Sequence, residues 1–266
     1  MDLKLGKLPK RTDKRTLQFA QYLKANLSTP PPVIDYSDQI TQWGMMLNDT
    51  LGDCTIAAAS HAIEEWSQGK TIIADEIIKA FYFSITGGQD SGCVELDVLN
   101  AWHNKGLGGD NLGAYAEVNI TSQYQLKQAI YMFNGLYIGV NLPQSAMDQF
   151  NSDQPWTVSG DNTILGGHAL LIVGYDSQYV SIITWGQLIK ADWNWLMTYM
   201  DEAYVLISKD YFSGDKTAEG FDLVTLDQDA IAISDGTYNI DPPTPPAPPQ
   251  PKRLTWWQRF WKWLFK

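Results

Sequence analysis

Apolar positions along the chain change period near residue 114. Before it they recur every three or four residues. Downstream of NDTLGDC, Ile56, Ala59, Ile63 and Trp66 fall on one helical face until Gly69 breaks the pattern. DEIIKAFYFSIT reads as a second helix ended by Gly87 and Gly88, and VELDVLNAWHNKG as a third ended by Gly106. From Ala114 the spacing shortens. AYAEVN reads as a strand, SQYQLKQAIYMF as a helix, and GLYIGVNLP as a strand that stops at Pro143. HALLIVGYD and YVSIITWG, rich in β-branched residues, read as two strands joined by a polar turn. The pattern therefore predicts an α+β fold in which a helical half precedes a sheet-rich half, with no internal repeat. The path of QSAMDQFNSDQPWTVSGDN cannot be derived from its pattern.

With 266 residues, 44% apolar and 12% aromatic, the chain is long enough for a sizeable core in one domain or two intimate subdomains. Two cysteines in that length argue against a disulfide framework. The opening MDLKLGKLPKR has no apolar signal-peptide core and no stretch is long enough to span a bilayer, so synthesis in the cytoplasm without export is expected. The net charge is −11, but the last fifteen residues hold five of the 19 Lys and Arg and none of the 30 acids, leaving a body of −16. That body disfavours nucleic acid as a partner, because affinity for phosphate backbones comes from Lys and Arg. The basic cluster Lys4, Lys7, Lys10, Arg11, Lys14 and Arg15 reads as a solvated surface arm.

Two residues carry candidate chemistry. Asp53 is a suitable N-cap and Gly52 frees the turn, so Cys54 opens a helix. A thiol there feels the positive end of the helix dipole, and with a His nearby its pKa is expected to fall to roughly 3.5–7.5. The alternative is a small buried apolar residue, the commoner fate of a free cysteine. His168 follows Gly166 and Gly167 at the start of an apolar strand, where the glycines leave room for an approaching chain. His61, two turns along the Cys54 helix, and His103, at a helix end, read as structural.

Taken together these stretches resemble the papain-like cysteine peptidases, over roughly residues 30–207, and most closely uncharacterised members from bacteriophages and bacteria. Asn48 stands six residues before Cys54, where the family has a Gln whose carboxamide serves an oxyanion. Gly52, Asp53 and Cys54 match the approach to the nucleophile. Gly167, His168 and Ala169 match the histidine strand, 114 positions beyond Cys54, and Thr184, Trp185 and Gly186 match a Ser-Trp-Gly element. DSGCVELDVLNAWHNKG is similar to the Gly-rich segment and helix that line the family's cleft. The resemblance implies a papain-like α+β fold with the site between its two subdomains. It implies Cys54, His168, Asn48 and Thr184 as catalytic residues, Gly92, Gly167 and Trp185 at the substrate, and no metal or cofactor. The implied reaction is hydrolysis of a peptide or protein amide through an acyl-enzyme. Three departures stand out. The Asn that orients the histidine is Ile183 here, Thr184 replacing it only if the register allows. Thr55 replaces the aromatic residue after the nucleophile, and only about thirty residues precede the domain, so the usual inhibitory propeptide is not expected. The alternatives are a cell-wall endopeptidase of NlpC/P60 type, whose Cys-to-His gap is usually shorter, and an inactive binding module.

The domain reading is a basic arm over 1–30, a peptidase domain over 31–240, a proline-rich linker over 241–251 and a basic amphipathic helix over 252–266. In the last segment Thr255, Arg259, Lys262 and Lys266 make one polar stripe. Trp256, Trp257, Phe260, Trp261, Trp263 and Leu264 cover the rest with Phe265. Fifteen residues span about 22 Å as a helix, less than a bilayer core of about 30 Å, so the segment is expected to lie on an anionic membrane surface. A membrane-surface or virion-associated location follows as the expectation; the oligomeric state is left open.

Overall fold

A computed structural model describes residues 3–234 apart from 26 and 28. The proline-rich stretch and the amphipathic segment, with Trp256, Trp257, Phe260, Trp261, Trp263 and Leu264, lie outside the described residues. Among the described residues no helix is long and apolar enough to cross a membrane.

Three helices come first: α1 (Cys54–Trp66), α2 (Asp75–Thr86) and α3 (Glu95–Lys105). Gly87, in the left-handed region at φ 67°, ends α2 as its sequence predicts. A short β1 (Ile34–Asp35) precedes them. Then follow β2 (Leu112–Glu117), α4 (Gln123–Phe133, capped by Ser122), β3 (Leu136–Pro143), α5 (Gln144–Asn151) and β4 (Ile164–Tyr175). The chain continues through β5 (Tyr179–Thr184), β6 (Gln187–Asp192), α6 (Trp193–Tyr199), β7 (Met200–Ser208), α7 (Asp210–Ser213) and α8 (Leu223–Ser234). The strands form one antiparallel sheet in the order β2-β7-β3-β4-β5-β6, with β1 added on β4.

The alternation of side chains along each strand divides the core in two. Tyr137, Ala169, Leu171, Val173, Ile183 and Leu206 face α1, α2 and α3. Ile138, Val140, Leu170, Ile172, Ile182 and Val205 face α4, α5 and α6 on the other side. The predicted α+β order, helical half before sheet-rich half, is therefore the observed one.

Helix α1 departs from the one-faced pattern read in the sequence. Every residue from Cys54 to Glu65 is buried, including Ser60, His61, Glu64 and Glu65. It runs through the core, and its run of alanines lets the sheet and neighbouring helices approach closely. The interior position raises its carboxyls: burial moves Glu65 to about 8 and Glu64 to about 7.

Candidate active site

Cys54 is the first residue of α1, and its helix is carried on the sheet beside the start of β4. Its thiol is fully buried, and the backbone N–H groups of Ala169, the residue after His168, and of Gly6 of the N-terminal arm lie near enough to favour its charged form. Asp53 occupies the N-cap position, but its carboxylate makes no capping bond. It instead accepts from Asn48 Nδ2 at 3.3 Å, and burial pushes it up to about 8. Asn48 is set by a backbone that few residues tolerate: Met46 and Leu47 before it both have positive φ, 56° and 64°. Left-handed backbone costs roughly 1–2 kcal/mol per non-glycine residue, so packing around the buried Met46 must hold this loop in place.

His168 is completely buried, with Nε2 2.7 Å from Thr184 Oγ1 and Nδ1 making no hydrogen bond among the described residues. Register explains the pairing. Leu171 stands opposite Ile183 in β4–β5, so both point toward α1, whereas Thr184 and His168 lie on the opposite face. No slip is needed for Thr184 to take the place of the missing Asn, and Ile183 is a core residue. Trp185 and Gly186 form the two-residue turn into β6, both at positive φ, 47° and 69°. That uncommon backbone for a tryptophan lays the indole on the imidazole, with centroids 4.3 Å apart and planes 18° from parallel.

The N-terminal arm is solvated as read at Arg11, Lys14 and Arg15, but its first part, around Lys7, is not. Lys7 is 5% exposed; Lys10 pairs with Glu117 and Arg11 with Asp97. The backbone runs extended between two lips of the body. Cys93 N–H donates to Gly6 O and Leu8 N–H to Cys93 O, both at 2.9 Å, and Lys7 N–H donates to Gly167 O at 3.2 Å. The glycines singled out in the sequence make this approach possible: a Cβ on Gly92 would collide with Gly6 O, and one on Gly167 with Lys7 O. Lys4 O accepts from Asn48 Nδ2 at 3.3 Å and from Trp185 Nε1 at 3.2 Å. Cys54, Asn48, Gly92, Gly167 and Trp185 therefore all meet this one segment, while His168 and Thr184 pair beside it.

This enclosure reverses the expected acidity of the thiol. Burial pushes Cys54 up to about 12 despite the two N–H groups nearby, and burial lowers His168 to about 3. With the arm in place both groups are neutral at physiological pH, against the thiolate expected from the helix dipole. The dipole contributes about 0.3–2 kcal/mol, less than the burial of a charge costs. Cys93 is likewise buried and pushed up to about 12.

Residues that sequence reasoning passed over frame the cleft. Asp90 Oδ1 accepts from Gly52 N–H at 2.9 Å and from Tyr82 OH at 2.8 Å, and that hydroxyl accepts Gly92 N–H at 2.8 Å. One carboxylate thus ties the loop before Cys54 to the glycine lip. Glu95, Asp201 and Glu202 surround the Lys7 side chain. The one signal for the last two was a pair of acids inside the apolar run YMDEAYVLI. His61 is structural as expected, its Nε2 2.7 Å from Gly44 O.

The fold is that of the papain-like cysteine proteases. No protein-family model and no curated protein matches the sequence. Among solved structures, the chain is similar to xylellain, a cysteine protease from Xylella fastidiosa, with 17% identity over 78% of this chain and 97% of that one (TM-score 0.63). It is similar to a procathepsin B from Trypanosoma congolense, with 10% identity over 77% and 86% (TM-score 0.58). A third is the cysteine protease and lectin-like domains of Cwp84, a surface-layer-associated protein of Clostridium difficile, at 13% over 78% and 56% (TM-score 0.57). These likenesses show the fold and single out neither phage nor bacterial members.

Proposed function

We propose that the chain is a thiol peptidase of papain-like type, held latent by its own N-terminal arm. The observation that carries this reading is an extended peptide lying on Cys54 with a carbonyl, that of Lys4, held by Asn48. The arm survives because it offers the sulfur an N–H, that of Gly6, and not a carbonyl carbon. Once the arm leaves, water reaches the thiol and the helix N-terminus and the Ala169 N–H favour thiolate. With Nε2–H donating to Thr184, Nδ1 of His168 takes the thiol proton, and stacking on Trp185 supports the resulting imidazolium. Cys54 sulfur adds to the substrate carbonyl, whose oxyanion is held by Asn48 and the Cys54 N–H. His168 then gives its proton to the leaving amine, and water releases the acyl group.

Gly6→Val in the full chain tests this. A Cβ on Gly6 would collide with Gly52 O, so the variant sheds the arm. It is expected to hydrolyse fluorogenic peptides where the parent does not, and to lose that activity with Cys54→Ala. Turnover unaffected by Cys54→Ala would refute the thiol mechanism. Muropeptides in the same assay separate the cell-wall endopeptidase alternative, and binding without turnover the inactive module. For the segment 252–266 the proposal is attachment to an anionic membrane surface, supported by its sequence pattern.

A further inference from the structure

The side chain of Lys7 leaves the arm where both lips grip its backbone and turns into the body. Its Nζ lies 2.9 Å from Asp201 Oδ2, 2.8 Å from Glu202 Oε1 and 3.4 Å from Leu8 O. The side chain is 1% exposed and that of Glu202 fully buried. Tyr204 OH donates to the other oxygen of Glu202 at 2.8 Å, fixing the carboxylate. Glu95, also fully buried, has no hydrogen bond to either oxygen among the described residues and acts on Lys7 through charge. Gly139, opposite Glu202 in the β3–β7 register, makes the space: a Cβ there would collide with Lys7 Cε and lie 2.9 Å from Asp201 Oδ1.

Three carboxyls converge on one ammonium, so the pocket demands a cation more than the arm demands an anchor. A strap whose only task was to stay folded would do as well with an apolar side chain, because a buried ion pair seldom outperforms well-packed apolar residues. Leu3 and Leu5 already supply such packing in the same arm. The lysine is placed directly beside Gly6, the residue whose N–H meets the Cys54 sulfur.

We propose, on the reading of this cleft as a peptidase site, that the pocket formed by Gly139, Glu95, Asp201 and Glu202 selects peptide substrates bearing a lysine-type basic side chain beside the scissile bond. Lys7 is then the internal occupant that the substrate's side chain replaces.

The test uses full-length Gly6→Val, which frees the cleft without altering the pocket, with Lys7→Glu as a second opened form should the first not fold. Fluorogenic peptide libraries are expected to show at least a tenfold preference for Lys over Leu at one position, and Glu202→Gln to remove it for the Lys peptides while sparing the Leu peptides. In parallel, the synthetic octapeptide LKLGKLPK should protect Cys54 from iodoacetamide at a concentration at least tenfold lower than its Lys7→Leu version. Cleavage with an apolar preference, or equal cleavage of both series, overturns the pocket and leaves the peptidase intact. Protection that depends on Lys7 without any cleavage refutes the peptidase and upholds a basic-peptide pocket. Equal protection by both octapeptides without cleavage overturns both.

Discussion

Thr184 holds the imidazole of His168 from the same face of the sheet, 2.7 Å from Nε2, while its neighbour Ile183 points the other way into the helical core. Thr184, the stand-in that the sequence resemblance offered for the Asn replaced by Ile183, is thus the side chain bonded to the histidine.

Thr184→Val keeps the side-chain shape and leaves Nε2 buried without a partner. A buried unsatisfied group costs about 1–3 kcal/mol, so a Gly6→Val/Thr184→Val double variant should lose roughly 10- to 100-fold in kcat/KM relative to Gly6→Val. Ile183→Asn should not raise activity. It places a carboxamide among Leu171, Ala169 and α1, and should lower stability by about 2 kcal/mol or more in denaturant unfolding. A gain of activity from Ile183→Asn would show that the histidine is not held by Thr184.

The neutral thiol has a measurable consequence. With burial raising both Cys54 and Cys93 to about 12, iodoacetamide at pH 7 should label neither in the folded parent chain. Opening the arm with Gly6→Val should speed labelling of Cys54 at least tenfold and leave Cys93 unchanged, as read by peptide mass spectrometry. Fast labelling of Cys54 in the parent would mean the arm does not rest on the sulfur in solution.

Stability should fall as pH rises from 6.5 to 8. Burial raises Asp53 and Glu65 to about 8 and Glu64 to about 7. In this window the folded chain keeps protons on these carboxyls that the unfolded chain has lost, so unfolding releases protons and is favoured by base. The buried histidines act in the opposite sense only at lower pH. His61 and His168, lowered by burial to about 4 and about 3, stay neutral while their unfolded counterparts take up protons below about 6.5, so their contribution is lost toward pH 4. Urea midpoints at pH 6.5 and 8.0 check the sign, and a higher midpoint at pH 8.0 would contradict buried, protonated carboxyls.

Local signals were legible wherever one residue decides the backbone. Gly87 and Gly106 close α2 and α3, and β3 ends at Pro143, as read. Helix α5 was not read because the segment that contains it shows no clean apolar period, and its burial rests on Ala146 and Phe150 packing across β3. The catalytic candidates were legible because glycines flank them. The arm was not, since nothing local in LKLGKL distinguishes a solvated lysine from one whose partners lie more than 190 positions away, at Asp201 and Glu202. The thiol's acidity was misjudged for the same reason: the helix start is local, but the burial that outweighs it comes from the arm.

The segment 252–266 offers a test independent of the cleft. Its five cations and eight large apolar residues stand in a pattern that fits the interface of an anionic bilayer, whereas the remaining chain is strongly acidic and is repelled by the same surface. The full chain should therefore sediment with vesicles containing phosphatidylserine, and a chain ending at Gln250 should not. Because a juxtamembrane cation contributes about 1 kcal/mol, screened over a Debye length of about 8 Å at physiological salt, raising salt should weaken binding without abolishing it, the tryptophans remaining inserted. Equal sedimentation of the two chains at low salt would assign the segment to a protein partner or to the acidic body instead.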